Sequence, residues 1–411
     1  MRRLSPLLVF GAACGSPACP DGEEFDVQGL CVPVVIDTAA DSGGGDTGGT
    51  GERGDTGDSD SGGGGDTGET GDSGDTGQAS APREVVELVP FDTTMWLGSG
   101  AAWRGLSVAP DGTVWAASSE GLLHLLPASG EARVYTTADG LFADDVSAVL
   151  AHSDGTVWVG FVGTVDHQGD QLAVAVDGTL SVLRVVDYDE SSELTSVYRI
   201  REQPYGVGAG DVWMATNEGL CLWDADVEVF AEHAHPAHPH LITRGVAFTP
   251  EADVWSADQY QLGRWRYSND GDLSPSADLY EKWVPWPVEP EVPVDMTDAD
   301  AHEATVWLAS SLFGLARVDV AEAGGASITT LYAELGAASA VRVADERTVV
   351  VGSATGLWAV DAVDGSFAPL AGAESISGSV QQLARVEPTG DGTFWAAVPG
   401  KLVQFTLSPA R

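Results

Sequence analysis

The chain has 411 residues, with 19 Lys and Arg against 62 Asp and Glu, and therefore a formal net charge of −43 at pH 7. Such a chain repels nucleic acid and anionic membrane surfaces, so the composition argues against DNA or RNA as a partner. No run approaches the ~20 apolar residues that a membrane-spanning helix requires, so we expect membrane attachment only through an N-terminal lipid.

The N-terminal sequence MRRLSPLLVFGAAC has the features of an export signal. Two arginines precede a short apolar stretch, and small residues stand before Cys14. The segment resembles a bacterial lipoprotein signal, in which the cysteine is lipidated after cleavage, although Gly11 stands where leucine is preferred. The sequence predicts a signal peptide over residues 1–13, lipidation at Cys14, and a location in the outer membrane, on the cell surface or in the periplasm.

Residues 14–36 form a short cysteine-containing segment. Cys19 and Cys31 could close a small disulfide loop in an oxidising compartment. The remaining cysteine, Cys221, stands alone in the strand-like run GLCLWD and is predicted to be a small buried hydrophobic residue. This uneven distribution does not suit a structural zinc site.

Residues 37–82 consist almost entirely of Gly, Asp, Thr, Ser and Glu. Such a segment cannot bury enough apolar surface to offset the entropy of ordering, so we predict a disordered acidic linker. The recurring GDTG resembles calcium loops, but it lacks a fixed set of ligands and a closing bidentate acid. The segment is interpreted as a tether for the domain that follows.

From residue 83 onward the chain repeats itself, most clearly over residues 105–141 and in the unit that follows. Each unit has a strand, an Asp-Gly turn, a Thr-Val-Trp strand, a small polar turn and two further strands. Asp-Gly between alternating apolar runs favours a β-hairpin, because glycine tolerates a positive φ. Residues 84–89 precede the first unit and have the pattern of a strand, whereas the last unit supplies only three strands.

The second strand of each unit carries an anchor residue, and these anchors recur at intervals of about 42–55 residues, near the period of a propeller blade. The anchors are Trp115, Trp158, Trp213, Trp255, Trp307, Val350 and Trp395. We predict an all-β fold over residues 83–411: a single seven-bladed β-propeller of four-stranded blades, with the tryptophans as core between blades. Residues 84–89 are predicted to complete the last blade, and the two long intervals to contain insertions over residues 163–189 and 270–294.

The runs GTVWVGF and EGLLHLLPASG, with the turn at residues 139–141, resemble the two-component regulator propeller repeats. The resemblance extends over about the last 325 residues, and Gly-Leu steps such as Gly121-Leu122 and Gly356-Leu357 match it. It implies an extracytoplasmic sensor or binding module. No membrane helix or kinase follows in this sequence, so only the binding role is carried over.

Ligands of propellers usually contact one face, at the loops between the second and third strands and between successive blades. The candidate binding residues there are Glu120, Phe161, Asp166, His167, Asn217, Glu218, Asp258 and Tyr260. These loops are polar and differ from one another, which suits an asymmetric partner, although solvated turns remain an equal alternative. Tyr260 and Phe161 are the candidates for an exposed apolar patch on that face.

The run HAHPAHPH contains four histidines, and imidazoles at this density can bind zinc, copper or nickel. They are His233, His235, His238 and His240. No cysteine or well-spaced carboxylate completes a tetrahedral set, so the pattern favours adventitious metal binding over a dedicated site. We expect no cofactor.

Common catalytic motifs for serine hydrolases, zinc proteases and nucleotide-binding enzymes are absent from the sequence. Streptogramin lyases are similar seven-bladed proteins, and His167, Glu218 and His235 could be arranged like their His and Glu residues. However, the strands here read WVGF, WMAT and WSAD and lack the acid that follows in that family.

The sequence therefore predicts a non-catalytic, monomeric binding propeller for an envelope or extracellular protein or glycan. A propeller lyase or hydrolase and a purely structural surface lipoprotein are the alternatives.

Overall fold

A computed structural model describes residues 23–25, 31–33, 83–162, 172–176, 181–185, 196–204, 206, 208–217, 219–224, 229–233, 242–250, 253–265, 280–283, 294–321, 325–376, 378–386 and 392–409. The predicted signal peptide, the lipidation site and the acidic linker lie outside these ranges. So does Cys19, and with it the predicted disulfide.

The described residues contain one strand pair and seven four-stranded antiparallel sheets. The pair is β1 (Glu23–Phe25) with β2 (Cys31–Pro33), and β3 (Val85–Asp92) follows it. Sheet 1 contains β4 (Trp103–Val108), β5 (Val114–Ser118), β6 (Gly121–Leu126) and β7 (Glu131–Tyr135). Sheet 2 contains β8 (Val146–Ala151), β9 (Val157–Phe161), β10 (Leu172–Val176) and β11 (Ser181–Val185). Sheet 3 contains β12 (Val197–Glu202), β13 (Val212–Thr216), β14 (Gly219–Asp224) and β15 (Val229–His233).

Sheet 4 contains β16 (Thr243–Phe248), β17 (Val254–Asp258), β18 (Leu262–Trp265) and β19 (Tyr280–Trp283). Sheet 5 contains β20 (Met296–His302), β21 (Thr305–Ser310), β22 (Gly314–Ala321) and β23 (Gly325–Tyr332). Sheet 6 contains β24 (Ala338–Val343), β25 (Thr348–Ser353), β26 (Gly356–Asp361) and β27 (Phe367–Pro369). Sheet 7 contains β28 (Gln382–Arg385), β29 (Thr393–Val398) and β30 (Lys401–Leu407), with β3 as its fourth strand. Short 3₁₀ helices at Thr137–Asp139 and Ala333–Leu335 precede β8 and β24.

The first strand of each sheet, here called the inner strand, contacts the inner strand of the next sheet. The inner strands are β4, β8, β12, β16, β20, β24 and β28, and β28 in turn contacts β4. These contacts place the inner strands around one axis and the remaining strands outside them. The predicted all-β, propeller-like architecture is confirmed.

The core lies between neighbouring sheets, because a single small sheet cannot bury both of its faces. Trp395 of sheet 7, for example, packs with Leu106 and Leu123 of sheet 1. All seven predicted anchors are buried on second strands, which confirms their assignment to the core. Cys221 is buried as a free thiol, as predicted.

The strand predicted over residues 84–89 is observed as β3. It pairs with β30 in antiparallel register, with Leu88 opposite Phe405. Arg83 joins this segment to sheet 6 through an ion pair with Asp345, with 2.6 Å between Nη1 and Oδ2. The segment that follows the acidic linker therefore completes sheet 7 and also contacts its neighbour.

Candidate functional site

Because strands in each sheet alternate in direction, the connections fall at two ends of the ring. We call the end with the links from second to third strands and from one sheet to the next the loop face. The other end, with the turns between first and second and between third and fourth strands, is the turn face. The predicted binding residues that the structure describes belong to loop-face connections or to the strand ends beside them; they are Glu120, Phe161, Asn217, Asp258 and Tyr260.

Two of these predicted residues connect the loops of the loop face to each other. Oε2 of Glu120 accepts a hydrogen bond from the backbone N–H of Gly98 at 2.6 Å. Oδ1 of Asn217 accepts one from the backbone N–H of Ser196 at 2.9 Å. In both cases the side chain joins a second-to-third-strand loop to the segment leading into the inner strand of the same sheet. Both residues therefore link neighbouring segments of the loop face.

Asp258 lies at the end of β17 and is buried, not exposed in a loop as predicted. Its carboxylate accepts hydrogen bonds from the hydroxyls of Thr243 and Ser256. Burial raises the pKa of Asp258 to about 6, against the opposing effect of hydrogen bonds from Thr243, Gln261 and Ser256. The carboxyl group of Asp258 is therefore enclosed within sheet 4 and does not belong to an exposed loop.

We expect Asp258→Asn to change how stability depends on pH. A folded-state pKa above the unfolded value means that the folded chain binds the proton more readily. The contribution of Asp258 to stability is therefore greatest below about pH 4 and falls as the pH rises through about 6. The asparagine side chain in Asp258→Asn cannot ionise, so the variant does not lose this stability. Between about pH 4 and pH 8 the difference in unfolding free energy should therefore shift in favour of the variant, by on the order of 1–3 kcal/mol.

Urea unfolding at several pH values between 4 and 8 measures this difference. The control is Asp145→Asn, which alters an exposed carboxylate paired with Arg104. A constant difference between wild type and Asp258→Asn across the pH range would contradict the assignment.

The prediction of Phe161 as an exposed aromatic residue is wrong, since it is only 2% exposed. Its ring lies edge-on to Phe142, at 6.0 Å between centroids and 70° between planes. Phe142, in the connection before β8, is the more accessible of the two, at 40% exposed. Tyr260 is half-buried.

The loop face does expose other large apolar side chains. Met95 is 82% exposed in the link between β3 and β4, and Leu312 is 62% exposed between β21 and β22. Phe142 and Val162 lie on the same face. Elsewhere in the described residues such side chains occur at Val86, Leu126 and Val363.

Several predicted residues lie outside the described part of the chain. They are Asp166, His167, Glu218, His235, His238 and His240. His233 ends β15, and the placement of its side chain is not described. Within the described ranges no group of three or more His, Cys, Asp or Glu residues is arranged to hold a metal ion.

A cavity of about 740 Å³ runs between the inner strands. Its lining continues to Pro110, Ser153 and Pro204, which follow inner strands on the turn face and are exposed to solvent. The cavity is therefore reached from the turn face, at the end of the ring opposite to the predicted site. We call it the axial cavity.

The buried carboxylate of Asp298 lies beside the axial cavity and is shared by three arginines. Its Oδ1 lies 3.3 Å from Nη2 of Arg199 and 3.5 Å from Nη2 of Arg201. Its Oδ2 lies 2.5 Å from Nη1 of Arg342 and accepts a hydrogen bond from the N–H of Val341 at 3.2 Å. These residues come from sheets 3, 5 and 6, so the cluster joins sheets across the axis.

The charges of this arginine cluster shift one another's pKa values. Burial alone would raise the pKa of Asp298, but Arg199, Arg342 and Arg201 hold it below its ordinary value. Burial, followed by the charge of Arg342, lowers the pKa of Arg201 to about 10. At neutral pH one carboxylate therefore lies among three guanidinium cations.

This cluster was not among the residues predicted from the sequence. A signal was available, since YRIRE and TDADA place charges at alternate positions of strands that otherwise read as apolar. Alternation puts Arg199 with Arg201 on one side of β12, and Asp298 with Asp300 on one side of β20. Assigning both strands to the axis, together with the register of the inner strands, would have been needed to pair these charges.

No protein-family model and no curated protein matches the chain. Among solved structures, it is similar to a streptogramin B lyase at 15% identity and a TM-score of 0.56, over 78% of this chain and 98% of that one. It is also similar to the extracellular domain of the hybrid two-component system BT4673 from B. thetaiotaomicron, at 12% identity and a TM-score of 0.55, over 78% of this chain and 43% of that one. The WD40 repeats of RRP9 match at 11% identity and a TM-score of 0.57, over 80% and 99% of the two chains.

Identities this low show the fold alone, which is that of a β-propeller. The three neighbours comprise an enzyme, an extracellular domain of a two-component system and a WD40 repeat protein, so the fold is compatible with more than one function. None of the helices in the described ranges has the length and apolar character needed to cross a membrane.

Proposed function

We propose that the seven sheets are the blades of one propeller, and that this propeller is a non-catalytic extracytoplasmic module that binds a protein or glycan on its loop face. Membership of the two-component regulator propeller family is part of this proposal. The repeat motifs support it, and so does the likeness to the BT4673 extracellular domain, which is itself part of a two-component system.

The observation that carries this proposal is the set of exposed apolar side chains on the loop face. Met95, Phe142, Val162 and Leu312 lie there, and the bonds of Glu120 and Asn217 hold neighbouring segments in place. Apolar side chains on a rigid frame are typical of interaction surfaces. Three of the four are aliphatic, which favours a protein over a glycan as the partner.

The extracytoplasmic location rests on the N-terminal sequence. The segment MRRLSPLLVFGAAC would direct export, and the acidic residues 37–82 would hold the propeller away from the membrane. Lipidation at Cys14 belongs to the same proposal.

We expect the double variant Met95→Ser, Leu312→Ser to weaken partner binding by at least about tenfold without lowering thermal stability, since both side chains are exposed. A photo-reactive residue at position 312 should identify the partner by cross-linking in the cells that export the chain, and the purified pair then gives the affinity.

The matched control is Val363, which is 70% exposed on the turn face. A photo-reactive residue at position 363 should not cross-link the same partner, and Val363→Ser should leave the affinity unchanged. Equal cross-linking from both positions would contradict a loop-face site.

The alternative function is that of a propeller lyase, supported by the likeness to a streptogramin B lyase. The residues predicted for that chemistry, His167, Glu218 and His235, lie outside the described residues. Conversion of a streptogramin B by the purified chain would overturn the non-catalytic part of the proposal.

A further inference from the structure

We propose that the axial cavity is a binding site for a small organic anion, in which a carboxylate or phosphate head contacts the arginines and an apolar body contacts the opposite wall. This site is separate from the loop face, since the axial cavity is reached from the turn face.

One side of the axial cavity has an uncharged and largely apolar wall, whereas the other side carries arginines. Sheets 1 and 2 contribute no charged residue to the lining; their share includes Leu106, Val108, Val149 and Leu150. Sheets 3, 6 and 7 contribute four arginines: Arg199, Arg201, Arg342 and Arg385. A cavity of this size with an apolar wall and a few convergent polar groups is typical of small-molecule sites.

The carboxylates near the arginines already have protein partners. Asp298 is shared among three guanidinium groups. Oδ2 of Asp300 accepts a hydrogen bond from the N–H of Val343 at 2.8 Å. Oε2 of Glu202 accepts one from the N–H of Ser153 at 2.8 Å.

Each of these three carboxylates is thus hydrogen-bonded to a backbone N–H group, so part of its capacity as an acceptor is already used.

Two buried N–H donors of the arginine cluster lack an acceptor in the described part of the chain. The side chain of Arg199 is only 8% exposed, and its Nε has no hydrogen-bond partner among the residues that the structure describes. Nε of Arg201 is likewise buried without a partner. An unsatisfied buried donor is costly, and more so on a charged group, so an acceptor in the cavity would stabilise the arginine cluster. Oxyanions fit the planar fork of a guanidinium group better than other anions do.

The net negative charge of the chain restricts the class of ligand expected in the axial cavity. A chain with a net charge of −43 repels large polyanions. A small anion within the axial cavity is close to the arginines and is screened from more distant surface carboxylates. The ligand is therefore a small molecule and not an anionic polymer.

Isothermal titration of the full chain at pH 7 tests this proposal with octyl phosphate and octanoate, which combine an oxyanion with an apolar body. We expect saturable binding of at least one of them, weaker binding of inorganic phosphate and no binding of octanol. Arg201→Gln and Arg385→Gln should each weaken binding by about tenfold or more. Arg201 is the most distant of the three arginines around Asp298, and Arg385 is not one of the three. Both variants therefore keep the closest ion pair, that between Arg342 and Asp298.

The matched control is Arg133→Gln, because Arg133 forms an exposed ion pair with Asp139 outside the axial cavity. Its binding should equal that of wild type. Absence of binding by both amphiphilic anions at millimolar concentration would overturn the proposal, as would undiminished affinity in the folded Arg201 and Arg385 variants. Octanol binding as tightly as octanoate would also overturn it, since the arginines would then contribute nothing.

Discussion

A chain from which residues 83–92 have been deleted is expected to unfold at a much lower temperature than the full chain and to aggregate at concentrations at which the full chain is soluble. The deletion removes β3, so β30 becomes an edge with unpaired N–H and C=O groups. Such an edge can pair with another copy of itself, which is a common route to aggregation.

The apolar contacts of β3 increase the expected loss. Val85 and Leu88 pack against the core between sheets 6 and 7. The ring of Phe91 lies 5.2 Å from that of Trp395, which packs against sheet 1. The backbone N–H of Val85 also donates to the carbonyl of Ala371 at 2.8 Å, beyond the last strand of sheet 6. Removing β3 therefore weakens the contacts of sheet 7 with both of its neighbours.

Thermal unfolding and light scattering of the two chains measure this effect. A milder pair of variants separates the closing role from general disturbance of the strand. Leu88→Ser removes a partly buried side chain and should cost about 1–3 kcal/mol. Val86→Ser changes an exposed side chain of the same strand and should cost much less.

Addition of a peptide that contains residues 83–93 should restore part of the lost stability, because it can pair with β30 in the position of β3. An unchanged unfolding temperature after the deletion would show that the ring does not depend on this strand.

The repeating pattern made the sheets and the closing role of β3 predictable from sequence. The anchor at the second strand, the Asp-Gly turns and the count of three strands in the last unit are local features, and each sheet is built from consecutive strands. The role of β3 followed from strand counting alone, although its end extends to Asp92 and not to residue 89.

The candidate site was predicted less well, because its residues depend on contacts between distant parts of the chain. Phe161 ends a strand that packs in one core cluster with Tyr135 of sheet 1 and with Leu141 of the connection between sheets 1 and 2. Neighbouring sheets decide such burial, and the sequence of one repeat does not show it. The polar character of Asp258 likewise indicated a loop, whereas hydrogen bonds hold it inside sheet 4.

The arginine cluster illustrates the same difficulty over a longer distance. Arg199 and Asp298 are 99 positions apart in the sequence and meet only because β12 and β20 both lie at the axis. Nothing in either repeat alone indicates the partner. The register of all the inner strands has to be known before the charges can be paired.

Asp298→Ala is the single substitution that we expect to destabilise the described part of the chain most, by about 3–5 kcal/mol. Asp298 is fully buried, and its loss would leave three guanidinium groups close together with no carboxylate among them. Asp298→Asn keeps the shape and one acceptor for the N–H of Val341, so it should cost less than alanine while still removing the charge. The control, Asp145→Asn at the exposed pair with Arg104, should cost no more than about 1 kcal/mol.

The dependence on pH distinguishes loss of charge from loss of packing at this position. The folded-state pKa of Asp298 is lowered, so its contribution to stability is present above the unfolded value of 3.8 and disappears as the pH falls through the folded-state pKa. Urea unfolding should therefore show a difference between wild type and Asp298→Asn that is largest near neutral pH and shrinks under acid conditions. A difference that stays constant down to pH 3 would mean that the carboxylate acts only through packing. In that case the arginines would have to be stabilised by something other than Asp298, because three largely buried cations cannot remain together without a counter-charge.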